Sequence, residues 1–99
     1  MAKPVEKLNN QSIQAWMKAH SGWSRKSNAL VKEYKFPRFR DSIVFVNRIA
    51  TLADDADHHP DIDIRYNRVF ITLSTHSAGG ITDKDLKLAE QLDFATSAG

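Results

Sequence analysis

The stretch DIDIRYNRVFITLST, residues 61–75, constrains the fold more than any other part of the chain, because it alternates apolar and polar residues in two runs. Successive side chains of a β-strand point to opposite faces, so this alternation predicts two strands that are each apolar on one side. The polar pair Asn67-Arg68 separates the runs, and a short polar break of this kind predicts a β-hairpin. The predicted apolar face consists of Ile62, Ile64, Tyr66, Val69, Ile71 and Leu73.

The position of the turn predicts which residues face each other across the hairpin. A turn centred between Asn67 and Arg68 pairs Ile64 with Ile71 on the apolar face. A slip of one residue would bury the intervening aspartates and expose the isoleucines, so the pattern specifies the face of each residue.

The same ladder, extended beyond the strands, brings two histidines together. It places His59 opposite His76 on the polar face, away from the helices, and directly opposed Cβ atoms are ~4.5–5.5 Å apart. Pro60 lies within this extension and cannot donate a ladder hydrogen bond, so it indicates an edge or a bend at this point.

Two segments have the start signals of helices. Residues 10–20 carry apolar side chains at helical spacing and follow Asn9, which is a favourable N-cap residue. Residues 83–95 follow the spacing of Thr82 and Asp85, an S/T-x-x-D start that is close to a capping box.

Residues 38–56 predict a longer helix, whose apolar arc covers about half of its circumference. The apolar side chains of this arc are Phe39, Ile43, Phe45, Val46, Ile49, Ala50, Leu52 and Ala53. The arc is wide for a helix that packs against one sheet. It fits either a thoroughly buried helix or a helix that also contributes to a subunit interface.

The segment GWSRKSNALVKEYKF, residues 22–36, predicts one short strand and one longer strand that ends at Pro37. The predicted order is therefore helix-strand-strand-helix-strand-strand-helix. This order predicts an α+β fold, with a four-stranded antiparallel sheet and three helices packed on one face. The chain has 99 residues, and we expect residues 1–99 to form a single domain.

Composition excludes several classes of protein and site. The chain has no cysteine, which excludes disulfides and thiolate metal sites. Its net charge is +2 with acids and bases interleaved, whereas nucleic-acid-binding domains usually show a basic patch. The N-terminal stretch lacks the apolar core of a signal peptide, and no apolar run approaches the ~20 residues of a membrane span. We therefore expect a soluble cytoplasmic domain that binds neither nucleic acid nor a membrane.

Titratable residues are concentrated just before the hairpin, in the stretch DDADHHP. His58 and His59 follow Asp54 and Asp57 there, and the predicted ladder adds His76. Histidine and carboxylate ligands suit zinc, but adjacent histidines rarely point at one ion. A solvated loop without a function is a second interpretation. Acid/base chemistry is the third and the favoured one, because several imidazoles can hold different protonation states near neutral pH.

Two further residues have both a structural and a functional interpretation. Asp85 either accepts backbone N–H groups in the first turn of the last helix or belongs to the site with the histidines. Trp23 is either a core residue or an indole at the rim of a pocket, where it would stack on a flat ring.

These residues together resemble the signature of the pterin-4a-carbinolamine dehydratases. The chain reads D-x3-H-H-P from Asp54 to Pro60, and Tyr66, His76 and Asp85 follow at the spacing of the family. The stretch YNRVFITLSTH, the Gly-Trp pair and the apolar helix before the histidines are also similar, so the resemblance covers nearly the whole chain.

The resemblance implies a lyase that removes water from 4a-hydroxytetrahydropterin to give quinonoid dihydropterin. That product is then reduced to regenerate the tetrahydropterin cofactor of aromatic amino acid hydroxylases. The family implies a pterin as the small-molecule substrate, catalysis without a metal or another cofactor, and homodimers or homotetramers formed by sheet-edge pairing and helix packing. The elimination needs an acid for the leaving hydroxyl and a base for a ring N–H proton, and histidines can supply both.

The resemblance also implies roles for individual residues. The active-site histidines of the family correspond to His58, His59 and His76. Its neighbouring acids and its pocket tryptophan correspond to Asp54, Asp57, Asp85 and Trp23. The predicted register favours His59 with His76 at the reacting centre, and His58 in binding or proton removal.

Two positions depart from the pattern of the family. Asp54 stands where a longer glutamate is common, and Lys84 stands where arginine is frequent, which keeps the charge but not the bidentate geometry. The alternative function is a non-catalytic binding module, because some family members act as dimerisation cofactors for a homeodomain transcription factor. The intact set of three histidines favours the enzyme.

Overall fold

The computed structural model describes residues 6–97 of the chain. Within this range the helices are α1 (Asn10–Ala19), α2 (Phe39–Ala56) and α3 (Asp83–Ser97), and a short 3-10 helix spans His76–Ala78. The strands are β1 (Ser24–Lys26), β2 (Ala29–Lys35), β3 (Asp61–Arg65) and β4 (Arg68–Leu73). They form one antiparallel sheet in the order β1-β2-β4-β3. The predicted α+β fold and the predicted order of elements are confirmed.

The N-termini of α1 and α3 are capped by the side chains that the sequence indicates. The Asn9 side-chain oxygen accepts a hydrogen bond from the Ser12 backbone N–H at 2.8 Å. At α3, the Asp85 carboxylate accepts from the Thr82 N–H at 2.9 Å, and the Thr82 hydroxyl accepts from the Lys84 N–H at 3.2 Å. These bonds satisfy N–H groups that have no partner within the helix, which is why both helices begin where they do.

The hydrophobic core lies between one face of the sheet and the three helices. The sheet contributes Leu30, Tyr34, Val69, Ile71 and Leu73 to the core. The helices contribute Ile13 from α1, Phe45 and Ile49 from α2, and Leu88 and Leu92 from α3. Each large apolar side chain that is fully buried contributes about 1.5–3 kcal/mol to the free energy of folding. The side chains of α3 in this layer therefore hold the helix against the sheet.

The β3–β4 hairpin has the predicted faces but a different register. Ile64 pairs with Val69 rather than with Ile71, because the turn is centred on Tyr66 and Asn67. A shift of two residues keeps the side chains of the strands on their predicted faces. Tyr66 is the exception, because it lies in the turn with a φ of 56° and is 70% exposed, so its predicted place on the apolar face is wrong. The turn is held from outside the hairpin: the Asn67 side-chain N–H donates to the Phe36 carbonyl at 2.7 Å, and the Phe36 N–H donates back to the Asn67 carbonyl at 2.8 Å.

The predicted pairing of His59 with His76 is therefore wrong. In the observed register the ladder ends at Asp61, which pairs with Thr72. The chain then leaves the sheet after Leu73 and enters the 3-10 helix that begins with His76. The extension failed because it assumed that both strands continue for several residues past Pro60, where the ladder has already ended.

Helix α2 buries only part of the apolar arc that the sequence predicts. Its buried residues are Ser42, Phe45, Ile49 and Ala53. Phe39, the reference residue of the predicted face, is 47% exposed and stacks on Tyr66, and Val44 is 43% exposed. The helix packs against both the sheet and α3, so its contact surface is rotated away from Phe39. No helix within residues 6–97 is long and apolar enough to cross a lipid bilayer.

Candidate active site

His58 is carried into the protein interior by the way in which α2 ends. Asp57 follows the helix in the left-handed conformation, with φ 49° and ψ 43°. The His58 N–H then donates to the Ala53 carbonyl at 3.0 Å, which satisfies one of the last carbonyls of the helix. This sharp stop turns the chain towards the start of α3, where Asp85 lies.

His58 and Asp85 form a short, buried contact. The His58 Nε2 lies 2.5 Å from Asp85 Oδ1; the imidazole side chain is 11% exposed and the carboxylate is 0% exposed. A carboxylate only accepts hydrogen bonds, so His58 donates through Nε2. The proton on Nε2 leaves Nδ1 of the neutral ring as a proton acceptor. The pair therefore fixes both the orientation of His58 and the nitrogen that is available for chemistry.

The second oxygen of Asp85 is held by two donors. Asp85 Oδ2 accepts from the Thr75 hydroxyl at 2.8 Å and from the Thr82 N–H at 2.9 Å. A buried carboxylate is costly unless its lone pairs are hydrogen-bonded, and here both oxygens are. Asp85 thus combines the two roles that the sequence left open: it caps α3 and orients a histidine.

His59 and Asp54 form a second histidine–aspartate contact, on the protein surface. His59 Nε2 lies 2.9 Å from Asp54 Oδ1, and the two side chains are 60% and 75% exposed. Exposed ion pairs contribute little because water competes for both partners and the side chains stay mobile. The His59 ring is therefore accessible, and its orientation is held weakly.

His76 lies at the start of a tight loop that is closed by its two ends. The Thr75 N–H donates to the Gly80 carbonyl at 2.9 Å, and the Gly80 N–H donates to the Thr75 carbonyl at 3.3 Å. The His76 ring is exposed and makes no hydrogen bond or ion pair with the rest of residues 6–97. Its predecessor Thr75, however, reaches Asp85 with its side chain.

Two of the predicted site residues, Asp57 and Trp23, have a role in the fold itself. Asp57 is exposed, and its backbone ends α2. Trp23 is 6% exposed within the core, and its indole N–H donates to Asp93 at 2.9 Å. The Trp23 ring meets Tyr34 edge-on, with ring centroids 6.3 Å apart. The roles of Asp57 and Trp23 in pterin binding stay predictions.

Asp93 is the centre of a second polar network, which the sequence analysis missed. Its Oδ1 accepts from the Lys32 ammonium at 2.7 Å and from the Tyr34 hydroxyl at 2.5 Å, while Oδ2 accepts from Trp23. Burial, followed by the hydrogen bond to Asp93, raises the pKa of Tyr34 above its ordinary value. The network ties the last turns of α3 to β2, and the sequence spacing of its members gave no signal of it.

The structure thus brings together His58 with Asp85, and His59 with Asp54, and it joins His76 to the first pair through Thr75. Among residues 6–97, no group of three or more histidine, aspartate or glutamate side chains is arranged to hold a metal ion. The arrangement offers one oriented imidazole and two exposed ones, which is suited to moving protons in both directions.

Comparisons with known proteins identify a family. The family model described as Pterin 4 alpha carbinolamine dehydratase matches residues 6–95. A Thermomicrobium roseum protein provisionally named pterin-4-alpha-carbinolamine dehydratase is 50% identical over 88 residues, which cover 89% of this chain and 95% of the relative. A Sulfolobus acidocaldarius protein with the same provisional name is 45% identical over 87 residues, covering 88% of this chain and 96% of the relative.

Two solved structures have a similar fold. The crystal structure of a transcriptional coactivator/pterin dehydratase from Brucella melitensis superposes with a TM-score of 0.89 at 31% identity, covering 93% of this chain and all of the other. A pterin dehydratase-like protein identified as a RuBisCO assembly factor in the alpha-carboxysome gives a TM-score of 0.67 at 22% identity, covering 81% of this chain and 95% of the other. At that identity the second likeness concerns the fold alone.

Proposed function

Because the chain belongs to the pterin-4-alpha-carbinolamine dehydratase family, we propose that it removes water from a 4a-hydroxytetrahydropterin to give quinonoid dihydropterin. In this elimination a base takes a proton from a ring N–H, the C4a–O bond breaks, and an acid protonates the departing hydroxyl, which leaves as water. No electron acceptor is needed, and the base and the acid return to their starting states by exchanging protons with solvent.

The observation that carries this proposal is the buried pair of His58 and Asp85. Asp85 holds the Nε2 proton of His58, so Nδ1 is the atom that takes the ring N–H proton. As His58 becomes an imidazolium, the buried carboxylate beside it stabilises the positive charge. A histidine that was merely solvated would not need a carboxylate with 0% exposure as its partner.

The acid is one of the two exposed histidines. His59 and His76 are both accessible to solvent, so each can recover its proton between turnovers. The predicted register had placed them opposite each other at the reacting centre, and that geometric support is gone. The assignment now rests on their chemistry and on the resemblance. Asp54 orients His59, and we place Asp57 and Trp23 as pterin-binding residues on the resemblance alone.

The decisive experiment compares the rate of carbinolamine dehydration with and without the protein. We expect wild type to accelerate the reaction over its spontaneous rate, and His58→Ala, His59→Ala and His76→Ala each to reduce kcat by about 10²-fold or more. His20 provides the matched control, because it stacks on Trp16 with centroids 4.2 Å apart, outside the cluster. Wild type without any acceleration would refute the proposed function; histidine variants with full activity would refute the site.

A non-catalytic binding role is the second candidate. It is favoured by the combined name of the Brucella melitensis structure, which describes that protein as both a transcriptional coactivator and a pterin dehydratase. The same assay separates the two candidates, since a pure binding module would leave the spontaneous rate of dehydration unchanged. The ordered His58–Asp85 pair favours the enzyme, because binding a partner protein makes no use of it.

We also propose that the chain assembles as a homodimer or homotetramer through its helical layer. Val44 on α2 is 43% exposed and Phe94 on α3 is 77% exposed, and a groove of about 710 Å³ between these helices is lined in part by Leu52 and Ala95. We expect sedimentation velocity to show a dimer or tetramer and Val44→Asp to reduce its size, while Lys18→Glu on α1 leaves it unchanged. A wild-type monomer at micromolar concentration would contradict the proposal.

A further inference from the structure

Two buried threonines lie behind the His58–Asp85 pair. Thr75 is 4% exposed and Thr82 is 0% exposed, and their hydroxyl oxygens are 2.7 Å apart. Both side chains are therefore buried away from solvent. Buried hydroxyls are retained when their hydrogen bonds are satisfied, and here each hydroxyl has two partners.

The direction of each hydrogen bond follows from the chemistry of the partners. Asp85 Oδ2 can only accept, so the Thr75 hydroxyl donates its single proton to this oxygen, at a distance of 2.8 Å. Thr75 then accepts from the Thr82 hydroxyl, which in turn accepts from the Lys84 backbone N–H at 3.2 Å. The chain of bonds has one orientation, running from the first turn of α3 to the carboxylate.

Thr75 also helps to determine the position of His76. Thr75 directly precedes His76. Its backbone N–H and carbonyl both form hydrogen bonds with Gly80, and these bonds close the loop of residues 75–80. Its side chain therefore fastens the loop that carries His76 to the carboxylate that orients His58. One residue is thus bonded into both halves of the arrangement.

We propose that Thr75 and Thr82 are positioning residues, which hold Asp85 so that it presents one oxygen to His58 and which set the place of His76 relative to that pair. The proposal rests on the proposed dehydratase function. Neither threonine touches the pterin in this scheme. Both act through Asp85, in the same way that outer groups fix the rotamer and the tautomer of a ligating or catalytic imidazole.

The test replaces each hydroxyl by a methyl group of similar volume and then restores it. We expect Thr75→Val and Thr82→Val to reduce kcat by about tenfold with little change in KM. Thr75→Val loses the hydrogen bond to the Asp85 carboxylate, and Thr82→Val loses the hydroxyl that donates to Thr75. Thr75→Ser and Thr82→Ser keep the hydroxyl and should recover most of the rate. Thr72→Val is the matched control, since Thr72 lies on β4 outside the network.

A second measurement is independent of catalysis. In protein with 15N-labelled histidine, the Nε2 proton of His58 should exchange slowly with solvent in wild type and about tenfold faster in Thr75→Val. The exchange of core backbone amides, such as those of Ile71 and Leu88, serves as the reference for global stability. An effect on the imidazole proton that exceeds the effect on these amides distinguishes positioning from general destabilisation.

Each outcome decides one claim. Valine variants that keep both the rate and the slow imidazole exchange would overturn the proposal. Faster exchange with an unchanged kcat would overturn it as well, because positioning would then have no catalytic consequence. If wild type fails to accelerate dehydration while Thr75→Val still increases the exchange rate of the His58 Nε2 proton, the proposed function is refuted but the positioning of His58 by Thr75 is supported. A loss of rate that serine restores, together with faster exchange, supports both.

Discussion

Two histidines that are adjacent in the sequence, His58 and His59, each contact an aspartate, and the two contacts differ in burial and in the distance between their atoms. His58 and Asp85 are 11% and 0% exposed, with 2.5 Å between nitrogen and oxygen. His59 and Asp54 are 60% and 75% exposed, with 2.9 Å between them. The residue types are the same, so the difference comes from burial. The exclusion of water fixes the orientation and tautomer of His58, while water competes for both partners in the exposed contact of His59.

The backbone at the end of α2 creates this difference. Asp57 in the left-handed conformation stops the helix and directs His58 inwards, so that the next residue, His59, stays outside beside the last turn. A carboxylate on a different element, Asp85, then receives His58. Two adjacent histidines thus reach two environments, which is a means of giving one residue type two roles in proton transfer.

The largest expected effect on stability comes from removing the carboxylate of Asp85, and removal of the Asp54 carboxylate provides the comparison. Asp85→Ala leaves three donors without their acceptor, namely His58 Nε2, the Thr75 hydroxyl and the Thr82 N–H, so we expect the free energy of unfolding to fall by about 3 kcal/mol. Asp54→Ala removes an exposed partner and should cost less than about 0.5 kcal/mol. Urea denaturation at pH 7 measures both values. Equal losses would show that burial does not separate the two contacts.

The sequence predicts what is local and periodic in this structure. The faces of β3 and β4 followed from the alternation of Ile62 and Ile64 with aspartates, and the cap of α3 followed from the spacing of Thr82 and Asp85. These features depend on side-chain period and on hydrogen bonds within one turn of helix, both of which can be read from neighbouring residues.

The errors lie where distant residues decide a local conformation. The hairpin register depends on Asn67, whose side chain and carbonyl are bound by Phe36. The burial of His58 depends on a left-handed Asp57, a conformation that favours glycine and that sequence alone would not assign to an aspartate. Thr75 joins the site by a hydrogen bond to Asp85, ten positions further on. None of these contacts leaves a periodic signal.

Trp23 extends the comparison of buried and exposed residues, because its burial decides whether the ring is assigned to the core or to a pocket. With 6% exposure and its indole N–H on Asp93, the ring belongs to the core. We expect Trp23→Phe to lower the free energy of unfolding by about 2 kcal/mol, through lost volume and a lost hydrogen bond. If Trp23 also contacts the pterin, as proposed from the resemblance, KM for the pterin should rise by more than about twofold. A KM within about twofold of wild type would restrict Trp23 to its role in the core.

Tyr34, whose hydroxyl donates to a third carboxylate, Asp93, provides a test of the effect of burial on a titrating group. Burial and the Asp93 hydrogen bond raise the pKa of Tyr34, so the stabilising effect of its neutral form is complete below about pH 10 and is lost as the pH rises towards the folded-state pKa. Above pH 10 the free energy of unfolding of wild type should therefore fall by up to about 1.4 kcal/mol per pH unit more than that of Tyr34→Phe. Parallel stability curves for the two proteins up to pH 11 would refute this assignment.

The smallest effect is expected at Asp41, which pairs with Arg38 on the surface at 3.0 Å. The hydrogen bond from the Arg38 side chain lowers the pKa of Asp41. A lowered folded-state pKa means that the stabilising effect is present above the unfolded value, near pH 4, and disappears as the pH falls through the folded value. Asp41→Asn should therefore melt with wild type at pH 3 and only slightly below it at pH 7, and 1 M salt should remove that small difference, because exposed charges are screened. A difference at pH 7 as large as that of Asp85→Ala would mean that exposure does not weaken an ion pair in this protein, and the contrast between the two histidine–aspartate contacts would lose its physical basis.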